Sequence, residues 1–148
     1  MVASIMAGCR QQTVYSRYIH TPTAGWDKED VLRFTTMPMR TDADCEEQVG
    51  VCISSDYPFA DLSLIVEQTR YPAHETTSDT IYCRLMDEHG RKLGAGFSQY
   101  QNEFPVRRMM LSAGDSLAVS IRHNMKRETL PGIVSIGLTI DQIPDNGD

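Results

Sequence analysis

The sequence is short of several things at once. No apolar run approaches the roughly 20 residues of a membrane-spanning helix, and no segment carries a convincing 3.6-residue apolar period. The four cysteines, Cys9, Cys45, Cys52 and Cys83, include no C-x-x-C pair, which argues against zinc ribbons and thioredoxin-like redox sites. Basic residues are outnumbered, with 14 Lys and Arg against 20 Asp and Glu and a formal net charge of -6. Such a chain lacks the basic face that nucleic-acid phosphates demand, and it gives no polybasic patch for anionic lipid. Aromatic residues make up 7%, with Trp26 the single tryptophan. There is no G-x-S-x-G nucleophile elbow, and the glycine-rich stretch Leu93-Gly94-Ala95-Gly96-Phe97 is not followed by G-K-[ST] or by a helical pattern, so it is no phosphate loop.

What remains is enough for one domain. A chain of 148 residues, 41% hydrophobic and 23% charged, can bury a core without metal or disulfide. Its clearest pattern lies between Ser54 and Gln68. Tyr57-Pro58 breaks the chain, because Pro58 fixes its own φ and pushes Tyr57 into an extended geometry. Asp56 and Asp61 flank this turn, where short acids bond nearby backbone N–H groups. Beyond it Leu62, Leu64 and Val66 alternate with Ser63, Ile65 and Glu67; before it Val49, Val51 and Ile53 alternate with Gln48, Gly50 and Cys52. Both runs have the period of two of a strand with one face on a core. They either pair as a long-loop hairpin or lie in two facing sheets joined by the turn.

Further strands are expected along the chain. Leu32 and Phe34 mark one between Asp30 and Met37, ended by Pro38. Thr41 to Glu47 reads as a charged loop, and its acids lack the spacing and glycine of an EF-hand. Arg70 to Ser78 reads as loop. Ile81, Cys83 and Leu85 mark a strand that ends in the polar turn Asp87 to Lys92. Pro105 to Leu111, the stripe Leu117, Val119 and Ile121, and the run Val134, Ile136, Leu138 and Ile140 complete the set, with Asn124 to Gly132 as a loop. About seven or eight short strands, with turn signals between them, predict an all-β fold: an antiparallel β-sandwich, jelly-roll-like.

Candidate chemistry is sparse. His20, His74, His89 and His123 lie in or beside loops without a paired partner, so no metal site and no cofactor are expected. Asp56 and Asp61 are explained as turn caps rather than a glycosidase pair, and no catalytic residues are assigned. Arg122, His123, Lys126 and Arg127 form the best exposed charge cluster, a candidate contact for an acidic partner or a lipid headgroup. Cys45, Cys52 and Cys83 allow at most one internal disulfide, and buried free thiols acting as small hydrophobes are the favoured reading. Two of Trp26, Tyr57, Phe59, Tyr82, Phe97 and Tyr100 side by side on an open face would instead point to a carbohydrate-binding module.

The N-terminus, MVASIMAGC, ends in small residues before Cys9. That is the pattern of a bacterial lipoprotein signal whose peptidase cuts ahead of a cysteine that then carries lipid, here with the positive n-region missing and the apolar h-region cut short. The segments VYSRYIHTPTAGWDKEDVLRF, SSDYPFADLSLIVE, DEHGRKLGAGF and IRHNMKRETLPGIVSIGLTI together resemble the gliding motility-associated lipoprotein GldH family of the Bacteroidetes. They run in the family's order and cover nearly all of the chain after Cys9. The closing pattern is carried by Leu130, Gly132, Ile133, Ile136, Gly137 and Leu138. The resemblance implies a non-enzymatic, lipid-anchored cell-envelope protein, an accessory or structural component with envelope protein partners, held to the membrane through lipid on Cys9. The expected organisation is a signal remnant over 1–8, a lipidated tether over 9–26, one β-sandwich over 27–142 and a loose tail over 143–148. Arg10-Gln11-Gln12 lacks the acidic run that exports such lipoproteins to the cell surface, which leans towards a periplasm-facing anchor.

Overall fold

The computed structural model describes residues 12–144. Cys9, the expected signal remnant and most of the expected tail therefore lie outside the described residues. Ten strands follow in order: β1 Gln12–His20, β2 Trp26–Asp27, β3 Leu32–Thr35, β4 Ala43–Ser54, β5 Asp61–Tyr71, β6 Glu75–Arg84, β7 Gln99–Leu111, β8 Ser116–His123, β9 Thr129–Leu130 and β10 Ile133–Gln142. All named pairings are antiparallel, and no helix occurs among the described residues.

Eight of these strands build two four-stranded sheets, ordered β1-β10-β4-β7 and β3-β8-β5-β6, while β2 and β9 form a small separate ribbon. Apart from the β5–β6 hairpin, successive strands of the two sheets pass from one to the other, which is the winding of a jelly roll. The question left open around Tyr57 is thereby answered: β4 and β5 lie in opposite sheets, and the Tyr57-Pro58 turn carries the chain from one to the other. Tyr57 is wholly buried there, its hydroxyl donating to the Asp61 carbonyl at 2.6 Å. Gly132, at φ +81°, packs directly on its backbone.

The core is the space between the sheets. Val49, Val51 and Ile53 of one sheet and Leu62, Leu64 and Val66 of the other are completely buried, joined by Ile121, Ile136 and Leu138. Alternation within each strand puts these residues on the inner faces, as the sequence pattern predicts.

Three expected loops are strands. Gln12–His20, read as part of a tether, pairs along β10 from Gln12↔Gln142 to His20↔Ser135. Its polar outer positions hid it, because an edge strand covered on one face needs little apolar content. Ala43 to Glu47 belongs to β4, with Asp44 and Glu46 alternating with the inward Ala43, Cys45 and Glu47. Arg70 and Glu75 to Ser78 belong to β5 and β6, a hairpin closed by the short turn at Pro72 to His74. The glycine-rich stretch Leu93 to Phe97 makes only an isolated bridge, Ala95↔Gln101.

The sandwich has two distinct ends. Gln12, the Met37–Asp42 loop, the Pro72–His74 turn and the Ser112–Asp115 turn share the end where β1 begins. The far end carries the β4–β5 crossover, the β6–β7 connection and the 124–132 loop with its ribbon. β4 spans the distance between them with 12 residues, about 36 Å at strand rise.

Candidate functional site

The expected basic cluster is built at the far end, and the structure divides it. Leu117, Val119 and Ile121 point inward along β8, so His123, two residues on, points inward as well. It is fully buried, 5.2 Å from the Trp26 ring in an edge-on arrangement. The Met125 N–H donates to its Nδ1 at 3.3 Å, so Nε2 carries the proton and faces the carbonyls of Trp26 and Glu128, each at 3.1 Å. Burial pulls its pKa down, partly opposed by those two carbonyls. His123 is thus a neutral clasp that holds the β2–β9 ribbon onto β8. The expectation that it belongs to an exposed charged patch is corrected by strand parity.

The other three basic residues stay accessible. Lys126 and Arg127 are exposed on the loop, while Arg122 is half-buried on the outer face of β8. Lys126 and Arg127 border a shallow apolar pocket of about 350 Å3 with Phe59, Asn124 and Met125. Met125 is held in place by the Ser63 N–H, which reaches its sulfur at 3.3 Å. Among the described residues, three ion pairs join Arg70 to Glu75, Arg107 to Asp79 and Arg108 to Asp44, and the His89 ring lies 3.7 Å from the Glu88 carboxylate. Arg122, Lys126 and Arg127 take part in none of them. Two cations beside an apolar floor form a surface suited to an acidic partner with an apolar anchor.

A second polar group, Glu47, was hidden from sequence reading. It occupies an inward position of β4 and is fully buried, with neither carboxylate oxygen in a hydrogen bond. Burial pushes its pKa up to about 7; the nearby Gln68 amide and Arg107 guanidinium only partly offset this, and Asp79 adds to it. Arg107 is itself committed to Asp79 through two bonds of 2.8 and 3.0 Å across the β6–β7 edge. Gln68 is buried too, its Oε1 without a donor. A protonated Glu47 presents the donor that this part of the core lacks, which is why the neutral form suits the site.

Comparison with known proteins decides the family. A family model described as GldH lipoprotein matches residues 13–140. The chain belongs to the GldH lipoprotein family. The matched span runs from β1 through β10, so the GldH family unit is the whole sandwich, including the edge strand read as tether. No curated protein matches this GldH-family chain. Among solved structures it is similar to an aminopeptidase from the marine sediment archaeon Thaumarchaeota archaeon, at 13% identity and TM-score 0.38, covering 76% of this chain and 24% of that one. A CocE/NonD family hydrolase from Staphylococcus aureus gives 9% identity and TM-score 0.39, with 88% and 31% covered. Eiger TNF from S. frugiperda gives 12% and 0.37, with 93% and 97% covered. The chain spans less than a third of either enzyme.

Other chemistry in this GldH-family chain is limited in the described residues. No three His, Cys, Asp or Glu side chains come together there as a metal site. Cys45, Cys52 and Cys83 are free and buried, as expected. Burial pushes the Cys83 thiol up to about 12, which keeps it from acting as a nucleophile. Of the aromatics that a sugar platform needs, Trp26 and Tyr57 are fully buried, and Phe59 packs edge-on against Tyr57. Tyr82 and Phe97 are open to solvent, but the aromatic contacts among the described residues join neither to another ring.

Proposed function

We propose that this GldH-family lipoprotein is a non-enzymatic scaffold of the cell envelope. Lipid on Cys9 holds it to the membrane, and its far end offers Arg122, Lys126 and Arg127 to a protein partner. The carrying observation is the opposition of two ends: the chain enters beside Gln12, and the free cations lie at the other end of the strands. Electrostatic screening acts over about 8 Å at physiological salt. A patch about 36 Å from the entry point is beyond reach of headgroups beneath an upright domain, so an acidic protein surface is favoured over lipid. The GldH resemblance supports a role as an accessory or structural component of a motility or secretion assembly. The residues after Cys9, without an acidic export run, support a periplasm-facing anchor.

The test is crosslinking and pull-down from cells with three chains: native, Cys9→Ala, and Lys126→Glu with Arg127→Glu. The scaffold reading expects envelope proteins to be recovered with the native chain and weakened in both variants. Recovery unchanged by the charge reversal moves the contact elsewhere. Glycan binding by the domain with no protein partner recovered replaces the scaffold with a binding module.

A further inference from the structure

Seven large apolar side chains among the described residues are exposed, and four of them, Val14, Met37, Tyr71 and Met110, sit at the entry end. Met37 is the most open of the four, at 82%. It is not on a loose segment. Met39 N–H donates to the Asp115 carbonyl and Gly114 N–H to the Met39 carbonyl, both at 2.8 Å. The Thr36 hydroxyl accepts from Leu117 N–H at 2.9 Å, and Asp42 accepts from Ala113 N–H at 2.7 Å. The Met37–Thr41 loop is therefore fastened to the next turn while its methionine points outward. With Thr13 and Val14 it borders a groove of about 500 Å3, and Arg40 is exposed beside it.

We propose that this end is a membrane-apposed face, with Met37 and Val14 entering the interfacial layer of the bilayer, Tyr71 and Met110 lying against it, and Arg40 at headgroup level. The inference rests on the proposed anchor at Cys9. Two residues, Arg10 and Gln11, separate Cys9 from Gln12, three steps of chain with a covalent reach of at most about 11 Å. A domain tied that closely keeps the end that holds Gln12 against the lipid. Exposed methionine and valine lose water contact there, tyrosine suits the boundary with its apolar ring and polar tip, and arginine extends its charge to the headgroups. The acyl chains supply the anchoring; the protein face fixes how the domain stands, and so holds the far end away from the membrane.

Oxidative footprinting tests this on the full chain. Cys9 is coupled to a maleimide-headgroup lipid in phosphatidylethanolamine–phosphatidylglycerol vesicles, with coupling to a soluble maleimide polymer as reference; the buried Cys45, Cys52 and Cys83 leave Cys9 as the reactive thiol, checked by peptide mass. Oxidation of Met37 and Met110 is expected to slow several-fold on vesicles, with Tyr82 and Phe97 unchanged. A Met37→Asp chain with an unaltered melting curve is expected to lose much of the protection at Met110. Met37 and Met110 as reactive on vesicles as in solution, or protection shared equally with Tyr82 and Phe97, overturns the proposal. The mass of the Cys9 peptide from cells tests the anchor separately. An unmodified Cys9 sinks the lipid anchor whatever the footprint, and a lipidated Cys9 with no footprint sinks the membrane-apposed face alone.

Discussion

The Tyr18 ring lies across Gly137 of the neighbouring strand and Gly50 of the next, so closely that a methyl group on either glycine would overlap it. The Gln101 side-chain amide on β7 donates to its hydroxyl at 3.1 Å. One side chain of the edge strand thus crosses its entire sheet, and the two glycines leave the space for it. Tyr18→Ala is expected to cost about 1–2 kcal/mol, and Gly137→Ala a similar amount by displacing the ring. Because both changes remove the same contact, the double variant should cost clearly less than the two together. Urea denaturation of the three chains measures this; additive costs would show that the ring and the glycine act independently.

Gly132 makes a sharper demand. It sits at φ +81°, and an added Cβ would fall on the backbone of Tyr57, which has no rotamer by which to move away. Gly114 has a comparable φ of +92° but open space around it. Alanine at 114 is expected to cost about 1 kcal/mol, the strain of the left-handed backbone alone. At 132 the backbone overlap adds to that strain, and about 2–3 kcal/mol is expected. Equal shifts in the urea midpoint for the two variants would mean that the crossover turn yields more easily than its packing implies.

These contacts show what could be read from the chain and what could not. The sandwich was legible because its inward stripes, from Val49 to Ile53, Leu62 to Val66 and Leu117 to Ile121, are long and regular. The polar residues that matter most continue those same stripes. Counting back by twos from Val49 reaches Glu47; counting on from Val66 reaches Gln68, and from Ile121 reaches His123. Residue type argued for loop or surface at each position, while parity argued for core, and parity prevailed because hydrogen bonding along a strand fixes its alternation whatever the side chain. Lys126 and Arg127 were legible as exposed because the 124–132 loop breaks that alternation, while Arg122 is half-buried on the outward parity of β8. β1 was not legible: a mostly exposed strand leaves no apolar stripe, and its pairing with β10 is a long-range event.

Glu47 sets one limb of the pH dependence. Its pKa rises from an ordinary 4.5 to about 7 in the folded protein, so the native state binds this proton more tightly than the unfolded chain does. The stability tied to the neutral acid is complete below about pH 4.5 and is lost as pH rises through 7, a difference of about 3 kcal/mol. Glu47→Gln keeps the shape, removes the charge and still offers a donor near Gln68. It is expected to raise stability by about 1–3 kcal/mol at pH 8, with the gain shrinking towards pH 4. Thermal melts at both pH values decide it: an equal gain at both would trace the effect to packing, and a loss at pH 8 would mean that the ionised acid has a stabilising partner.

His123 sets the opposing limb. Burial between Trp26 and the ribbon lowers its pKa from the ordinary 6.5, so here the unfolded chain binds the proton more readily. Stability from the neutral ring is present above about pH 6.5 and drains away as pH falls through the lowered folded value. Between about pH 4.5 and 6.5 the two groups pull in opposite directions, since acidification relieves Glu47 while it strains His123. His123→Gln retains a donor and an acceptor but does not titrate. It is expected to be less stable than the native chain at pH 7, where it loses the edge-on packing with Trp26, and to lose less on acidification from pH 6.5 to 5. Unfolding measured across that range in native, His123→Gln and Glu47→Gln chains separates the limbs: the glutamine at 123 should flatten the acid side, and the one at 47 should leave that side steeper than in the native protein. If His123→Gln falls off with acid as steeply as the native chain, the acid limb belongs to other groups and the clasp is held by packing alone.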